Sequence, residues 1–285
     1  MNPRNKHFGV VEGFYRRPYT WDERVDCVQL LSETGCNTYV YGPKIDPYHR
    51  KRWKEKYPPD DLRKFANLAG ESKKRGIHFN YALSPMAYPE PVSLIKKVSS
   101  MMNAGVEHFS VFFDDISVPL NADTAKTQCD CANELYAYLK KTISHPVLFF
   151  CPTQYRGFKN TDYIQTVARM LDNHIEIFWT GKYVVSHRIT DKQLDRITHI
   201  YNKPPLIWDN LFANDYIPGV VHAFPYRYRT PSLIDRSNGI LINPMNQYRK
   251  SRPLIYTAAL YFKDPKNYIP REAWRMAIRA LDAKR

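Results

Sequence analysis

Ser72-Lys73-Lys74-Arg75-Gly76-Ile77-His78-Phe79-Asn80-Tyr81-Ala82-Leu83 joins a polar, helix-favouring stretch to an apolar, strand-like run through one glycine. A helix that turns back toward a sheet needs a left-handed residue at its end, and glycine adopts that conformation without a Cβ penalty. The same order recurs along the chain. Ser32-Glu33-Thr34-Gly35 precedes Cys36-Asn37-Thr38-Tyr39-Val40-Tyr41, and Met102-Asn103-Ala104-Gly105 precedes Phe109-Ser110-Val111-Phe112-Phe113. Asp235-Arg236-Ser237-Asn238-Gly239 then leads into Ile240-Leu241-Ile242-Asn243. Filling the gaps predicts strands over 8–11, 36–41, 77–83, 109–113, 146–150, 175–179, 205–208 and 240–242. Helices are predicted over 21–34, 60–75, 91–102, 131–143, 162–173, 191–201 and finally 271–283. Eight βα units without a linker or low-complexity break predict an α/β fold, a (β/α)8 TIM barrel, as a single domain over residues 1–285. A doubly wound open sheet is the alternative, and the count of eight and missing Gly-rich phosphate loop argue against it.

Composition sets outer bounds. The chain is 44% hydrophobic and 25% charged, as expected of a globular protein. No apolar run approaches the ~20 residues of a membrane span, and the opening Met1-Asn2-Pro3-Arg4-Asn5-Lys6-His7 leads into no apolar leader core. A cytoplasmic location without membrane association is the default expectation. Cys27, Cys36, Cys129, Cys131 and Cys151 are too scattered for a disulfide scaffold. Neither a zinc-spaced Cys/His set nor a phosphate loop is present, so no metal and no cofactor are expected. The net charge of +14 suits nucleic acid or an anionic substrate. Because the basic residues are spread along the chain, a solvated basic surface is the better reading and nucleic acid is not expected as a partner.

The strand at 109–113 closes on Asp114 and Asp115. Ionised acids are costly in apolar surroundings unless paired. A lone aspartate there reads as a helix cap. Two neighbours read as chemistry, since proximity and partial burial drive their pKa values apart and leave one acid protonated beside an ionised one.

In a barrel of this type the active site lies at the strand C-terminal ends. Those positions hold Glu12-Gly13-Phe14-Tyr15-Arg16-Arg17-Pro18, Tyr41-Gly42-Pro43-Lys44, Asp114-Asp115 and Cys151-Pro152-Thr153-Gln154-Tyr155. Trp179-Thr180-Gly181, Trp208-Asp209-Asn210, Ala213-Asn214-Asp215 and Asn243-Pro244 complete the rim. Singly, Lys44 reads as a surface lysine, Asn210 and Asn243 as caps and Trp208 as core. Together on one rim, carboxylates, amides, a lysine and aromatic rings suit a sugar, with polar groups for hydroxyls and rings for its apolar face.

The run Gly9-Val10-Val11-Glu12-Gly13-Phe14-Tyr15 resembles the opening signature of the family 84 glycoside hydrolases, the O-GlcNAcases and related β-N-acetylglucosaminidases. Asn37-Thr38-Tyr39, Tyr41-Gly42-Pro43-Lys44, His49-Arg50, Phe113-Asp114-Asp115-Ile116, Cys151-Pro152-Thr153, Trp179-Thr180-Gly181, Trp208-Asp209-Asn210, Ala213-Asn214-Asp215-Tyr216 and Asn243-Pro244 follow in the family's order. The resemblance implies a retaining exo-β-N-acetylglucosaminidase, a bare catalytic barrel acting on GlcNAc-bearing glycoproteins or glycoconjugates. It implies that the substrate's own acetamido group is the nucleophile. Asp114 would bind the acetamide N–H and take its proton, and Asp115 would be the general acid with the higher pKa of the two. Tyr155 would bond the acetamide oxygen and Trp208 would wall its pocket. Lys44, Asp215, Asn243 and the Gly13 backbone would hold sugar hydroxyls, Asn210 would support the acetamide and Asp114, and Thr180 and Val184 would line the mouth. Cys151 is expected to pack rather than react. The resemblance leaves the oligomeric state open.

The chain departs from the family where Arg16 stands in place of a usual glycine, Gly13-Phe14-Tyr15-Arg16-Arg17-Pro18-Tyr19. With the basic balance, that change suggests anionic aglycones. Two rivals remain at this point: a barrel glycosidase with a carboxylate nucleophile such as Asp215, and a non-catalytic glycan- or nucleic-acid-binding barrel.

Overall fold

Gly35, Gly76 and Gly105 end their helices in the left-handed region, with φ of +79°, +68° and +84°. The fourth glycine of the series serves another purpose. Gly239 is the first residue of a strand, and a Cβ there would lie 2.0 Å from the carbonyl oxygen of His7 on the neighbouring strand. The expectation of a helix cap there is corrected to a close approach of two strands.

The computed structural model describes residues 6–87 and 89–283; the first five residues of the stretch read above for a leader lie outside them. Eight parallel strands close into a barrel in sequence order. They are β1 (His7–Glu12), β2 (Thr38–Tyr41), β3 (His78–Leu83), β4 (His108–Phe112), β5 (Val147–Cys151), β6 (Glu176–Trp179), β7 (Leu206–Asp209) and β8 (Gly239–Ile242). All eight coincide with the predicted runs. β1 closes the barrel through Phe8 opposite Ile240 and Gly9 opposite Leu241.

Alternation along the strands makes two cores. Val11, Val40, Ala82, Phe112, Phe149, Phe178, Leu206 and Leu241 fill the barrel interior. Their neighbours, including Val10, Val111, Phe150 and Ile177, face the helices and join the larger outer core. The surrounding helices are α1 (Trp21–Glu33), α2 (Pro59–Lys74), α3 (Pro91–Met102), α4 (Ala122–Thr142), α5 (Asp162–Met170), α6 (Asp191–Tyr201), α7 (Leu233–Arg236), α8 (Tyr248–Lys263) and α9 (Pro270–Asp282).

Two helical expectations change. α4 starts at Ala122 rather than 131, capped by the Asn121 side chain, which accepts from the Thr124 amide. Its first turns have weak propensity, and a face of Ala125, Gln128 and Cys129 buried on the barrel holds them helical. α8 follows β8 directly, where the sequence reading passed over it to 271–283. Pro253 and the basic residues before it resemble a loop, yet Leu254, Ile255, Ala258 and Ala259 are buried along one face. Packing outweighs the local cost of a proline. None of the described helices is long and apolar enough to cross a membrane.

Candidate active site

β4 explains how two adjacent acids reach one place. Phe112 points into the barrel and Phe113 into the outer core. Asp114 continues the inward alternation and is 6% exposed. The next side chain should point away. Asp115 instead takes a left-handed backbone, φ +53°, which turns it back so that both aspartates line one cleft. A non-glycine residue in that conformation is strained, a state concentrated at functional sites.

The cleft has a volume of about 570 Å3, within the range of small-ligand pockets. Gly13, Lys44, Asp114, Asp115, Tyr155, Thr180, Val184, Trp208, Asn210, Asp215 and Asn243 all line it. Every site residue expected from the sequence therefore lies in one cavity, though several have different partners from those anticipated.

Lys44 is buried and its ammonium pairs with Asp114 Oδ2. It also lies over the Phe112 and Trp208 rings, 5.2 and 5.4 Å from their centroids. The other oxygen, Asp114 Oδ1, is buried without a hydrogen-bond partner. Asp115 accepts from the Tyr155 hydroxyl through Oδ1 at 2.8 Å and from the Tyr15 hydroxyl through Oδ2 at 2.9 Å. Arg50 braces this corner, donating to the Tyr15 hydroxyl at 3.0 Å and to the Asp115 carbonyl at 3.2 Å.

These contacts reverse one expectation. Burial pushes the Asp115 carboxyl upward, but the Lys44 charge, the two tyrosine hydrogen bonds and the Arg50 charge outweigh it and hold Asp115 below the usual carboxylate range. The contacts around Asp115 favour its ionised form, against the expectation that it holds a proton. The Tyr15 phenol is pushed up to about 12 by burial and by Asp115, against the opposing effect of Arg50.

A relay of amides fixes the opposite wall. Asn210 Oδ1 accepts from Trp208 Nε1 at 3.0 Å and from Asn243 Nδ2 at 2.9 Å, and its Nδ2 donates to the Val184 carbonyl at 2.8 Å. Asn243 Oδ1 in turn accepts the Gly13 amide at 3.3 Å. Asn210 makes no hydrogen bond to Asp114; it holds the tryptophan and the β6 loop in place. A Cβ on Gly13 would lie 2.1 Å from the Trp208 ring, so only glycine permits that wall.

Asp215 accepts the Tyr15 amide at 2.8 Å through Oδ2. Thr180 donates to the Tyr183 carbonyl at 3.0 Å. Burial, with Asp114 nearby, raises the Cys151 thiol well above its ordinary pKa, so it is a packing group. Glu12 does not reach the cleft. It is buried outside the barrel, paired with Arg24 at 2.8 Å and accepting from Tyr39 and the Tyr19 amide, which anchors the loop carrying Gly13 and Tyr15. Among the described residues no three His, Cys, Asp or Glu side chains are grouped to hold a metal ion.

The sequence profile described as beta-N-acetylglucosaminidase matches residues 8–285. The chain belongs to this family. It is similar to the protein O-GlcNAcases of Rattus norvegicus and Mus musculus, each 34% identical over 284 residues. Those alignments cover 93% of this chain, which spans only 31% of the length of either relative. Among solved structures it resembles a mutant of the Thermobaculum terrenum O-GlcNAc hydrolase, with a TM-score of 0.91 and 32% identity over 96% of this chain and 63% of that one.

For this member of the family, sequence reasoning missed three things: the Lys44–Asp114 pair, the role of Tyr15 and Arg50 around Asp115, and the inclusion of Arg156, Tyr183 and Tyr216 in the lining. Tyr15 and Arg50 stood inside quoted motifs. No feature of a linear sequence says that residues 15, 50, 115 and 155 converge.

Proposed function

We propose that this chain is a retaining exo-β-N-acetylglucosaminidase of the O-GlcNAcase type, removing terminal β-linked GlcNAc from glycoproteins or glycoconjugates. The observation that carries the reading is the state of Asp114. One oxygen is held by Lys44, and the other is buried and unpartnered in a residue that lines the cleft. A buried acceptor with no donor calls for one from a ligand, and the N–H of a 2-acetamido group is a donor of the right kind.

In the first step the acetamide oxygen attacks C1 of the sugar. Asp114 takes the N–H proton as the oxazoline ring closes, and Asp115 gives its proton to the departing glycosidic oxygen. Asp115 then removes a proton from water as the water oxygen adds to C1 and the bond from C1 to the oxazoline oxygen breaks, giving net retention, while Asp114 returns its proton to the acetamide nitrogen. Asp115 must be protonated before the first step, so the bound substrate has to displace at least one of its tyrosine donors. Tyr155 is the natural one to move, exchanging Asp115 for the acetamide oxygen, while Trp208 walls the acetamide pocket. Asn210 and Asn243 keep that wall in place, Gly13 allows its close approach, and Thr180 and Val184 line the mouth. Lys44 orients Asp114, and Asp215 faces the sugar hydroxyls.

A carboxylate nucleophile fits less well. Asp215 is committed to the Tyr15 amide, and both remaining acids already have roles. The deciding assay compares a chromogenic β-GlcNAc substrate with the matching β-glucoside, alongside Asp114→Asn and Asp115→Asn. Turnover of the GlcNAc compound alone, lost in both variants, supports the reading; turnover of both sugars, or of neither, rejects it.

A further inference from the structure

Three cations stand around the mouth of the cleft without an acid to neutralise them. Some surface cations are tied to acids, as Lys73 is to Glu107, Lys64 to Asp61 and Lys126 to Asp130. Arg16, Arg156 and Lys182 have no carboxylate partner among the described residues, and all three are exposed. Arg156 lines the cleft in the loop after β5, next to Tyr155. Lys182 follows β6, its ammonium 5.1 Å from the centroid of the Tyr183 ring that also lines the cleft. Arg16 lies in the loop after β1, where its Nε donates to the main-chain carbonyl of Asp215 at 2.6 Å. That bond fixes the side chain at the rim without neutralising it, and it secures a residue held at φ +68°.

Their arrangement is as telling as their charge. In a closed eight-stranded barrel β1 lies across from β5, so positive charge flanks the mouth on both sides. The acids lining the cleft are Asp114, Asp115 and Asp215, and among the described residues none of them pairs with Arg156 or Lys182. A glycan ending in GlcNAc leaves the mouth in one direction. A polypeptide glycosylated on an internal residue leaves in two, and places side chains on both flanks.

We propose that the preferred substrates are acidic glycopeptides, with Asp, Glu or phosphorylated side chains on both sides of the glycosylated residue. Arg156 and Lys182 read one flank and Arg16 the other. The proposal rests on the glycosidase reading of the same cleft. It also gives the expectation placed on Arg16 and the basic balance a definite location, since the opposite wall contributes two of the three unpaired charges.

The test uses three synthetic peptides of equal length, each with one internal β-GlcNAc-serine, flanked by acidic, neutral or basic residues, and a neutral aryl β-GlcNAc substrate. Acidic over basic kcat/KM is expected to be about tenfold or more at low ionic strength, and to collapse in about 0.5 M salt. Arg156→Gln with Lys182→Gln should lower the ratio severalfold, and adding Arg16→Gly should bring it close to one. Arg271→Gln with Arg275→Gln on α9, the same loss of net charge away from the mouth, should leave the ratio in place. Turnover of the aryl substrate in each variant reports an intact fold. Equal rates on the three peptides while the aryl substrate is turned over would overturn the proposal, as would a ratio lost in the α9 variant but kept in the rim variant. No turnover of the aryl substrate by the parent protein would instead reject the glycosidase reading.

Discussion

The Tyr15 hydroxyl donates to Asp115 Oδ2 at 2.9 Å, and Tyr155 matches it on Oδ1 at 2.8 Å. Two phenols thus favour the ionised form of the carboxylate proposed to deliver a proton. Removing either donor raises the Asp115 pKa. Tyr15→Phe is expected to move the alkaline limb of the kcat/KM profile to higher pH, because Asp115 must be protonated to act. Tyr155→Phe should do the same and also lower kcat by roughly 10- to 100-fold through the lost contact to the acetamide oxygen. A pH–rate profile of each variant checks this; an unmoved alkaline limb in both would show that Asp115 is not the acid.

Arg50 acts one step away, through the Tyr15 hydroxyl and the Asp115 carbonyl. It is a positioning residue, holding Asp115 in its left-handed turn. Arg50→Met is expected to lower kcat about tenfold or more with a smaller effect on KM, and to shift the alkaline limb upward because a positive charge near Asp115 is lost. Arg50→Lys keeps the charge but not both hydrogen bonds. It should restore the limb and leave kcat low, a split that a purely structural role would not produce.

Lys44 and Asp114 form a buried pair. Lys44→Met leaves a carboxylate in the barrel mouth without its counter-charge and should cost about 3–5 kcal/mol of stability. Adding Asp114→Asn removes the unpaired charge, so the double variant should regain most of that stability while activity stays lost. Urea denaturation of the two single variants and the double variant measures the coupling; strictly additive losses would show that the pair does not interact.

At the far end of the barrel His7, His78 and His108 crowd together, with ring centroids 6.4 Å apart for His7 and His78 and 4.7 Å for His78 and His108. Burial, then the neighbouring histidines, pushes His7 down to about 3, and His108 falls to about 4 for the same reasons. Their folded values lie below the ordinary 6.5, so the unfolded chain binds more protons between those limits. Stability is full above about pH 6.5 and is lost as the pH falls toward 4, by on the order of 2 kcal/mol from His7 at pH 4.5. His7→Leu should flatten the difference in thermal midpoint between pH 7 and pH 4.5. An unchanged slope would place the acid sensitivity elsewhere.

Much of this molecule is written locally. The eight strands were legible because each is an apolar run set off by turn residues, and Gly35, Gly76 and Gly105 marked helix ends through a conformation that other residues resist. Asp114 and Asp115 stood out because charge at the end of an apolar strand has few structural uses. α8 was not legible, since Pro253 and its basic neighbours oppose a helix locally and only burial of Leu254, Ile255 and Ala258 overrides them.

The sequence by itself determined which residue types stand at the strand ends, and so the barrel and the kind of ligand its rim suits, because alternation and turn chemistry act over a few residues. Only the tertiary structure decided their partners. Lys44 came to hold Asp114, Tyr15 and Tyr155 came to hold Asp115, and Asn210 came to hold Trp208 rather than an aspartate. The closing of the barrel brings residues 15, 44, 114, 115, 155 and 210 into one cavity. Protonation states follow from that proximity, since a carboxylate's pKa is set by the charges and donors within a few ångströms of it, whatever their distance along the chain.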